Sequence, residues 1–129
     1  MNFPKNLKYT QDHEWAKVEG KQATCGITDF AQSELGDIVY VELPKIGAHV
    51  TQKKPCAVVE SVKTASDVYA PVSGEVLERN AKVIESPELV NQSPYDAGWL
   101  VKVRMSDRGE TQTLLDAAAY RNHIGSSAH

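Results

Sequence analysis

The stretch that decides the fold is Glu60-Ser61-Val62-Lys63-Thr64-Ala65-Ser66-Asp67-Val68-Tyr69-Ala70-Pro71-Val72-Ser73-Gly74. Residues 56–62 and 67–70 are typical of extended strands, and residues 71–74 form a turn into a third strand at 75–78. If the first two strands pair, the polar segment between them must face solvent. The sequence therefore predicts a β-hairpin with Lys63 at or beside its tip, and it places Cys56, Val58 and Val62 on one strand face.

Outward from this hairpin, Gly, Pro or Asn recurs every few residues, which favours many short strands over a helical bundle. Two further strands are predicted to flank Glu19-Gly20, and another covers residues 38–43. The last strand covers residues 99–105, where Trp99, Val101, Val103 and Met105 alternate with charged residues. The predicted fold class is mainly β.

Two segments carry helical signals. Asp29 is predicted to cap a helix that ends at Gly36 and packs one face on the sheet, because Gln32 stands three residues after Asp29. A second pair of capping residues, Asp107 and Glu110, predicts the start of a C-terminal helix. Its apolar stripe is predicted to consist of Thr111, Leu114, Leu115 and Ala118.

Length and composition indicate one domain without nucleic-acid or membrane partners. The chain has 129 residues, 41% of them hydrophobic, and a net charge of −3, so it lacks the basic surplus that phosphate backbones attract. It has no apolar stretch of membrane-spanning length and no apolar N-terminal segment. We expect one domain over residues 1–124, a flexible tail added by cloning at residues 125–129, and a location in the bacterial cytoplasm or the mitochondrial matrix.

The chain has two cysteines, Cys25 and Cys56, and we expect both to be reduced core residues and not zinc ligands, because no short ligand spacing accompanies them. A small enzyme that uses His13 or Cys56 catalytically is an alternative with little support. No Ser/His/Asp or Cys/His signature accompanies either residue.

Residues 60–74 resemble, nearly residue for residue, the lipoyl-attachment hairpin of the H-protein family of the glycine cleavage system. The resemblance covers about residues 7–120. It includes His13-Glu14-Trp15, Gly26-Ile27-Thr28, Leu35-Gly36-Asp37, the segment 86–91 and Gly98-Trp99. It implies a flattened barrel-sandwich hybrid of the lipoyl/biotinyl type with short flanking helices, including a C-terminal one.

The resemblance also implies that lipoate is attached to Lys63. Biotin acceptor lysines usually stand between methionines, whereas Val62 and Thr64 flank this lysine. An ordinary lysine amine, with a pKa near 10.4, is a poor nucleophile at neutral pH, so a lipoate ligase or lipoyl transferase must act on it. Lys63 must therefore protrude from the surface.

By this resemblance the protein is a non-catalytic carrier, and we expect a monomer. It takes an aminomethyl group from the glycine decarboxylase (P protein) to the aminomethyltransferase (T protein) and electrons to dihydrolipoyl dehydrogenase (L protein). Glu14 and Asp67 would contact the amino group of the loaded arm, and Glu60 would serve recognition by the ligase. For all three, an ordinary surface carboxylate remains the alternative. A lipoyl-relay role, in which Lys63 donates lipoate to other complexes, is not distinguished by the sequence.

Overall fold

Two antiparallel sheets form the framework of the computed structural model, which describes residues 1–127. The strands in chain order are β1 (Lys8–Tyr9), β2 (Glu14–Glu19), β3 (Gln22–Ile27), β4 (Ile38–Glu42), β5 (His49–Val50), β6 (Pro55–Ser61), β7 (Ala65–Tyr69), β8 (Gly74–Arg79) and β9 (Val101–Met105). Six of them form one sheet in the order β1-β2-β3-β9-β8-β5, and three form the other in the order β4-β6-β7. The predicted mainly β class is confirmed.

Four α-helices and a 3-10 helix flank the sheets in the described part of the chain. They are α1 (Asp29–Leu35), α2 (Ala81–Glu85), α3 (Leu89–Gln92), the 3-10 helix Arg108–Thr113 and α4 (Ala117–Ser127). Helix α4 thus continues through residues 125–127 of the predicted tail, and Ala128 and His129 lie outside the described residues. Across residues 1–127 no helix has the length and apolar character needed to cross a bilayer.

The hairpin predicted around Lys63 is present as β6 and β7. Val58 pairs with Asp67 and Glu60 with Ala65, which leaves residues 62–64 as the tip. The predicted grouping on the first strand was partly wrong. Cys56 and Val58 share a half-buried face, but the buried face consists of Ala57, Val59 and Ser61, and Val62 lies beyond the strand, 70% exposed.

The hairpin predicted around Glu19-Gly20 is also confirmed, since Glu19 pairs with Gln22. In the final strand Val101, Val103 and Met105 are buried, as predicted, but Trp99 is half-buried and precedes the strand. The alternation of these residues was informative because one face of β9 covers the core while the other meets solvent.

Helix α1 is present, but its cap was wrongly assigned. Thr28 has extended backbone angles and accepts a hydrogen bond from Ala31 N at 3.2 Å, so Thr28 is the N-cap. Asp29 is the first helical residue and accepts a bond from Gln32 Nε2 at 2.8 Å. The helix ends at Gly36, as predicted, and Ala31 and Leu35 pack against the core beneath β4 and β6.

The C-terminal helix begins later than predicted. Asp107 caps the 3-10 helix, and Glu110 bonds to Ser73 of another segment at 2.7 and 2.8 Å instead of to its own helix end. Leu115 exchanges two backbone hydrogen bonds with Tyr9, at 2.7 and 2.8 Å, and this pairing requires extended backbone. Helix α4 therefore starts only at Ala117.

Helices α2 and α3 were not predicted. They have five and four residues, too few to show a helical period in the sequence. Their buried residues, Val83 and Val90, belong to the core cluster beneath β4, β6 and β7. A separate aromatic cluster joins the N-terminal segment to α4 and includes Phe3, Tyr9, Trp15 and Tyr120.

Candidate functional site

Lys63 stands at the tip of the β6–β7 hairpin, with its side chain exposed and its backbone fixed. Ser61 holds the tip: its backbone N–H donates to Thr64 O at 2.7 Å, and its hydroxyl oxygen accepts from the N–H groups of Lys63 and Thr64, each at 3.1 Å. The buried serine therefore satisfies the donors that a tight turn leaves unpaired. The base of the lysine is held in place while its side chain faces solvent.

The amine of Lys63 takes part in no ion pair with the described residues, where the only pair joins Lys102 to Glu78 at 3.7 Å. An acceptor lysine must be reachable and must be able to lose a proton to an enzyme. The exposed position of Lys63 meets the first requirement, and the second depends on the enzyme. The exposed side chain also leaves space for a group attached in amide linkage.

Glu14 is the second unusual residue, because it is a carboxyl group only 3% exposed to solvent. It begins β2, next to Trp15, which is also buried. The hydroxyl of Thr10 donates to Glu14 Oε1 at 2.6 Å and accepts from Glu14 N at 3.0 Å. The backbone N–H of Tyr69 donates to Glu14 Oε2 at 3.4 Å.

Burial raises the pKa of Glu14 to about 8, because a carboxylate loses its hydration when it is removed from water. The bonds from Thr10 and Tyr69 oppose this shift, and the negative charge of Asp12 adds to it. No lysine or arginine forms an ion pair with Glu14 among the described residues. The Glu14 carboxyl is therefore mainly protonated at neutral pH. If a bound cation displaced its proton, the resulting carboxylate would carry the opposite charge.

Glu14 lines a cavity of about 200 Å³ between the N-terminal segment, the hairpin base and the segment before α4. Both polar and apolar residues line it. The polar residues include Thr10, Asp12, Gln52, Lys53 and Thr113, and the apolar ones include Leu114 and Leu115. Such a cavity can hold an apolar chain with a polar end.

The structure does not place Asp67 in this cavity. Asp67 is exposed on β7 and lines a second cavity of about 250 Å³, together with Glu42, Cys56 and Val58. Glu60 is half-buried on β6, between Tyr40 of β4 and Ala65 of β7. The roles expected for Glu14, Asp67 and Glu60 remain predictions.

The groups of the enzyme alternative are poorly suited to catalysis. Burial raises the pKa of the Cys56 thiol to about 12, so it holds almost no thiolate at neutral pH. Burial lowers the pKa of His13, and its Nδ1 lies 2.9 Å from the hydroxyl of Tyr120. Cys25 and Cys56 are both free thiols. Within residues 1–127 no cluster of three or more His, Cys, Asp or Glu side chains is arranged to hold a metal ion.

Sequence reasoning missed most of the walls around Glu14. No motif in the sequence predicts a site role for Thr10, Gln52, Lys53 or Tyr69. Lys53 has a φ of 69°, an uncommon backbone state for a residue other than glycine, but nothing in its sequence neighbourhood signals this. The cavity arises from segments far apart in the chain.

Three comparisons with known proteins point to the same family. The family model described as "Glycine cleavage H-protein" matches residues 7–127. The chain is 53% identical to the glycine cleavage system H protein of Halothermothrix orenii over 124 residues, which cover 96% of this chain and 97% of that protein. It is 55% identical to that of Brevibacillus brevis over 120 residues, which cover 93% and 95%.

The crystal structure of a glycine cleavage system H protein from Mycobacterium marinum superposes with a TM-score of 0.88 at 39% sequence identity. The superposition covers 95% of this chain and 99% of that one, and it confirms the predicted barrel-sandwich fold of the lipoyl type. Both the sequence and the fold agree over nearly the full length. The chain belongs to the glycine cleavage H-protein family.

Proposed function

We propose that Lys63 carries lipoate in amide linkage and that this chain is the shuttle between the enzymes of the glycine cleavage system. The observation that carries the proposal is the exposed lysine on a hydrogen-bonded tip, inside a stretch that matches the H-protein family. When bound, lipoate supplies a disulfide that opens to accept a one-carbon amine and two electrons and closes again on oxidation.

The chain itself supplies a fixed anchor and a sheltered site for a cation. Ser61 holds the backbone of the tip, so an arm attached at Lys63 moves about a defined point. A tethered group reaches its partners at high effective concentration. The partners are proposed to be the P, T and L proteins, with a lipoate ligase or lipoyl transferase that attaches the group.

Glu14 is proposed to bind the amino group of the loaded arm. Tyr69, whose backbone N–H contacts Glu14, lies four residues along β7 from Ala65, roughly 13 Å at the usual rise of a strand. A lysine side chain lengthened by the acyl chain of lipoate can cover this distance. In the cavity the carboxyl would give up its proton and pair with the amine, and the walls would exclude the water that hydrolyses such amines.

Asp67 and Glu60 keep the proposed roles of arm contact and ligase recognition. Asp67 lies on the same side of β7 as Tyr69, because side chains two residues apart in a strand face the same way. An arm that ran along this side of β7 from the tip would pass Asp67. Glu60 is on the strand that leads to Lys63, where an attaching enzyme must approach.

Mass spectrometry tests the attachment. Incubation with lipoate, ATP and a lipoate ligase should add one lipoyl group to the wild-type protein and none to Lys63→Arg, since a guanidinium cannot form the amide. Lys54→Arg, an exposed lysine at the other end of the hairpin, is the matched control and should be modified normally. A lipoyl group found on Lys53 or Lys54 would show that the acceptor was wrongly assigned.

Reconstitution tests the shuttle role. The lipoylated protein should stimulate glycine breakdown by purified P, T and L proteins, and Lys63→Arg should not. If the lipoylated protein gives no stimulation, the relay role would be favoured instead.

The bacterial origin of the two relatives supports a cytoplasmic location.

A further inference from the structure

The side chain of Lys63 lies against Gly36, at the end of α1. A methyl group on Gly36 would stand 3.0 Å from Lys63 Cε and 3.7 Å from Nζ. The first of these distances is shorter than ordinary van der Waals contact between carbon atoms. Any larger residue at position 36 would therefore displace the end of the lysine side chain.

The backbone of the hairpin tip is bonded to the same place. Val62 N donates to Asp37 O at 3.1 Å, next to the pair formed by Ile38 and Ser61. We call Gly36–Asp37 the corner, because it joins α1 to β4. The corner is thus bonded to the backbone before Lys63 and lies close to the end of the Lys63 side chain.

Asn91 of α3 holds the corner in position. Its side-chain NH₂ donates to Gly36 O at 2.8 Å and to Gln32 Oε1 at 3.0 Å, and its oxygen accepts from Ile38 N at 2.8 Å. One side chain therefore bonds to the helix before the corner, to the corner itself and to the strand after it. Replacement of Asn91 would leave three groups in and beside the corner without this partner.

We propose that the corner is a seat that orients the Lys63 amine for lipoyl attachment, with Gly36 and Asn91 as positioning residues. The inference rests on the proposed function, since it needs Lys63 to be the acceptor. The reaction forms an amide bond between Lys63 Nζ and the carbonyl carbon of an activated lipoyl donor. It breaks the bond between that carbon and its leaving group, adenylate or thiol, and releases one amine proton. Gly36 and Asn91 affect the rate because they set the direction from which the amine attacks the carbonyl carbon.

Gly36→Ala is the principal test, and Gly47→Ala is its matched control. Gly36 and Gly47 share a positive φ, 84° and 88°, but a methyl group at Gly47 would have no neighbour within 4 Å. We expect Gly36→Ala to lower kcat for lipoylation by about tenfold, with KM for the carrier within about twofold, since misplacing reacting atoms acts on the chemical step. Gly47→Ala should match the wild type.

Rates are measured well below the melting temperature of each variant, so that a loss of folded protein cannot imitate the effect. Equal kcat values for Gly36→Ala and Gly47→Ala would contradict the proposal that the corner orients the Lys63 amine. A rise in KM without a fall in kcat would also overturn it, because that pattern indicates lost docking and not lost orientation.

Asn91→Ala tests the support of the corner, with Gln92→Ala, an exposed neighbour on the same helix, as control. We expect Asn91→Ala to lower kcat in the same direction and Gln92→Ala to leave it unchanged. In the double variant Gly36→Ala/Asn91→Ala the losses should be less than multiplicative, because both act through one seat. Fully multiplicative losses would overturn the role of Asn91.

The same assay separates this inference from the proposed function. If the wild-type protein gains no lipoyl group on Lys63, the proposed function fails and the seat fails with it. If the wild type is modified at Lys63 and Gly36→Ala is modified at the rate of Gly47→Ala, the attachment stands and the seat alone is wrong.

Discussion

Glu14 is held in its protonated form by burial, and this makes stability depend on pH. Its pKa is about 8 in the folded protein against 4.5 as an ordinary glutamate. Between these values the unfolded chain has lost the proton that the folded chain keeps. The free energy of unfolding should therefore fall as pH rises from about 4.5 to about 8, by at most about 1.4 kcal/mol per pH unit, and then level off.

Urea unfolding at pH 5, 6, 7 and 8 measures this effect at the residue scale. Glu14→Gln, which cannot ionise, should lack this part of the slope, so the variant should gain stability relative to the wild type as pH rises. Glu19→Gln, at the exposed end of the same strand, is the control and should keep the wild-type slope. Parallel slopes for the wild type and Glu14→Gln would show that Glu14 ionises normally.

The chemistry of Glu14 could be predicted from the sequence only through the family resemblance. A surface carboxylate was an equally good interpretation of the residues themselves, since a strand with one exposed face alternates. Here Glu14, Trp15 and Ala16 are all buried. The base of the hairpin contacts Glu14 through Tyr69 N, and the segment at residues 94–95 lies against Trp15, whose ring N–H donates to Pro94 O at 3.0 Å. These covering segments are remote in sequence, and no local pattern reports them.

At the scale of single elements, the hairpin tip depends on Ser61. Ser61→Ala removes the acceptor of two backbone N–H groups, which should weaken the tip by about 1 to 2 kcal/mol. Hydrogen exchange at the amides of Lys63 and Thr64 should accelerate, and lipoylation should slow as the anchor loosens. Ser66→Ala, whose hydroxyl makes only an exposed bond to Asp67 O, is the matched control. Unchanged exchange in Ser61→Ala would mean that the β-strands alone hold the tip.

Elements formed by residues close in sequence were predicted more accurately than elements that depend on residues far apart in the chain. The hairpins around Gly20 and Lys63 depend on neighbouring strands and a local turn, and both were predicted correctly. The predicted start of the C-terminal helix failed because Leu115 pairs with Tyr9, more than a hundred residues earlier. A capping pattern at Asp107 and Glu110 cannot reveal such a competitor.

At the scale of the whole molecule, Tyr120 joins α4 to the rest of the chain. It is fully buried, its ring stacks on Tyr9 at 4.7 Å, and its hydroxyl lies 2.7 Å from Thr28 Oγ1 and 2.9 Å from His13 Nδ1. Tyr120→Phe keeps the stacking but leaves buried polar groups without a partner, so thermal unfolding should show a loss of about 1 to 3 kcal/mol. Tyr40→Phe, at a half-exposed site, should change little. A similar loss in both variants would contradict this role of the hydroxyl.

The overall arrangement of strands could be predicted from the family resemblance but not from the residues alone. Periodicity indicated many short strands, and it did not indicate that β9 lies between β3 and β8 or that β4 pairs with β6. Such pairings join distant segments, so they are determined by packing of the complete core. The positions of Gly36 and Asn91 beside the hairpin tip have the same origin.

The bond from Tyr69 N to Glu14 Oε2 spans the boundary between the two sheets, since Glu14 belongs to the six-stranded sheet and Tyr69 to the three-stranded one. Tyr69 is also the last residue of the strand that begins beside the hairpin tip. A change of charge at Glu14 would therefore alter a hydrogen bond at the base of the β6–β7 hairpin, because a carboxylate accepts more strongly than a neutral carboxyl group.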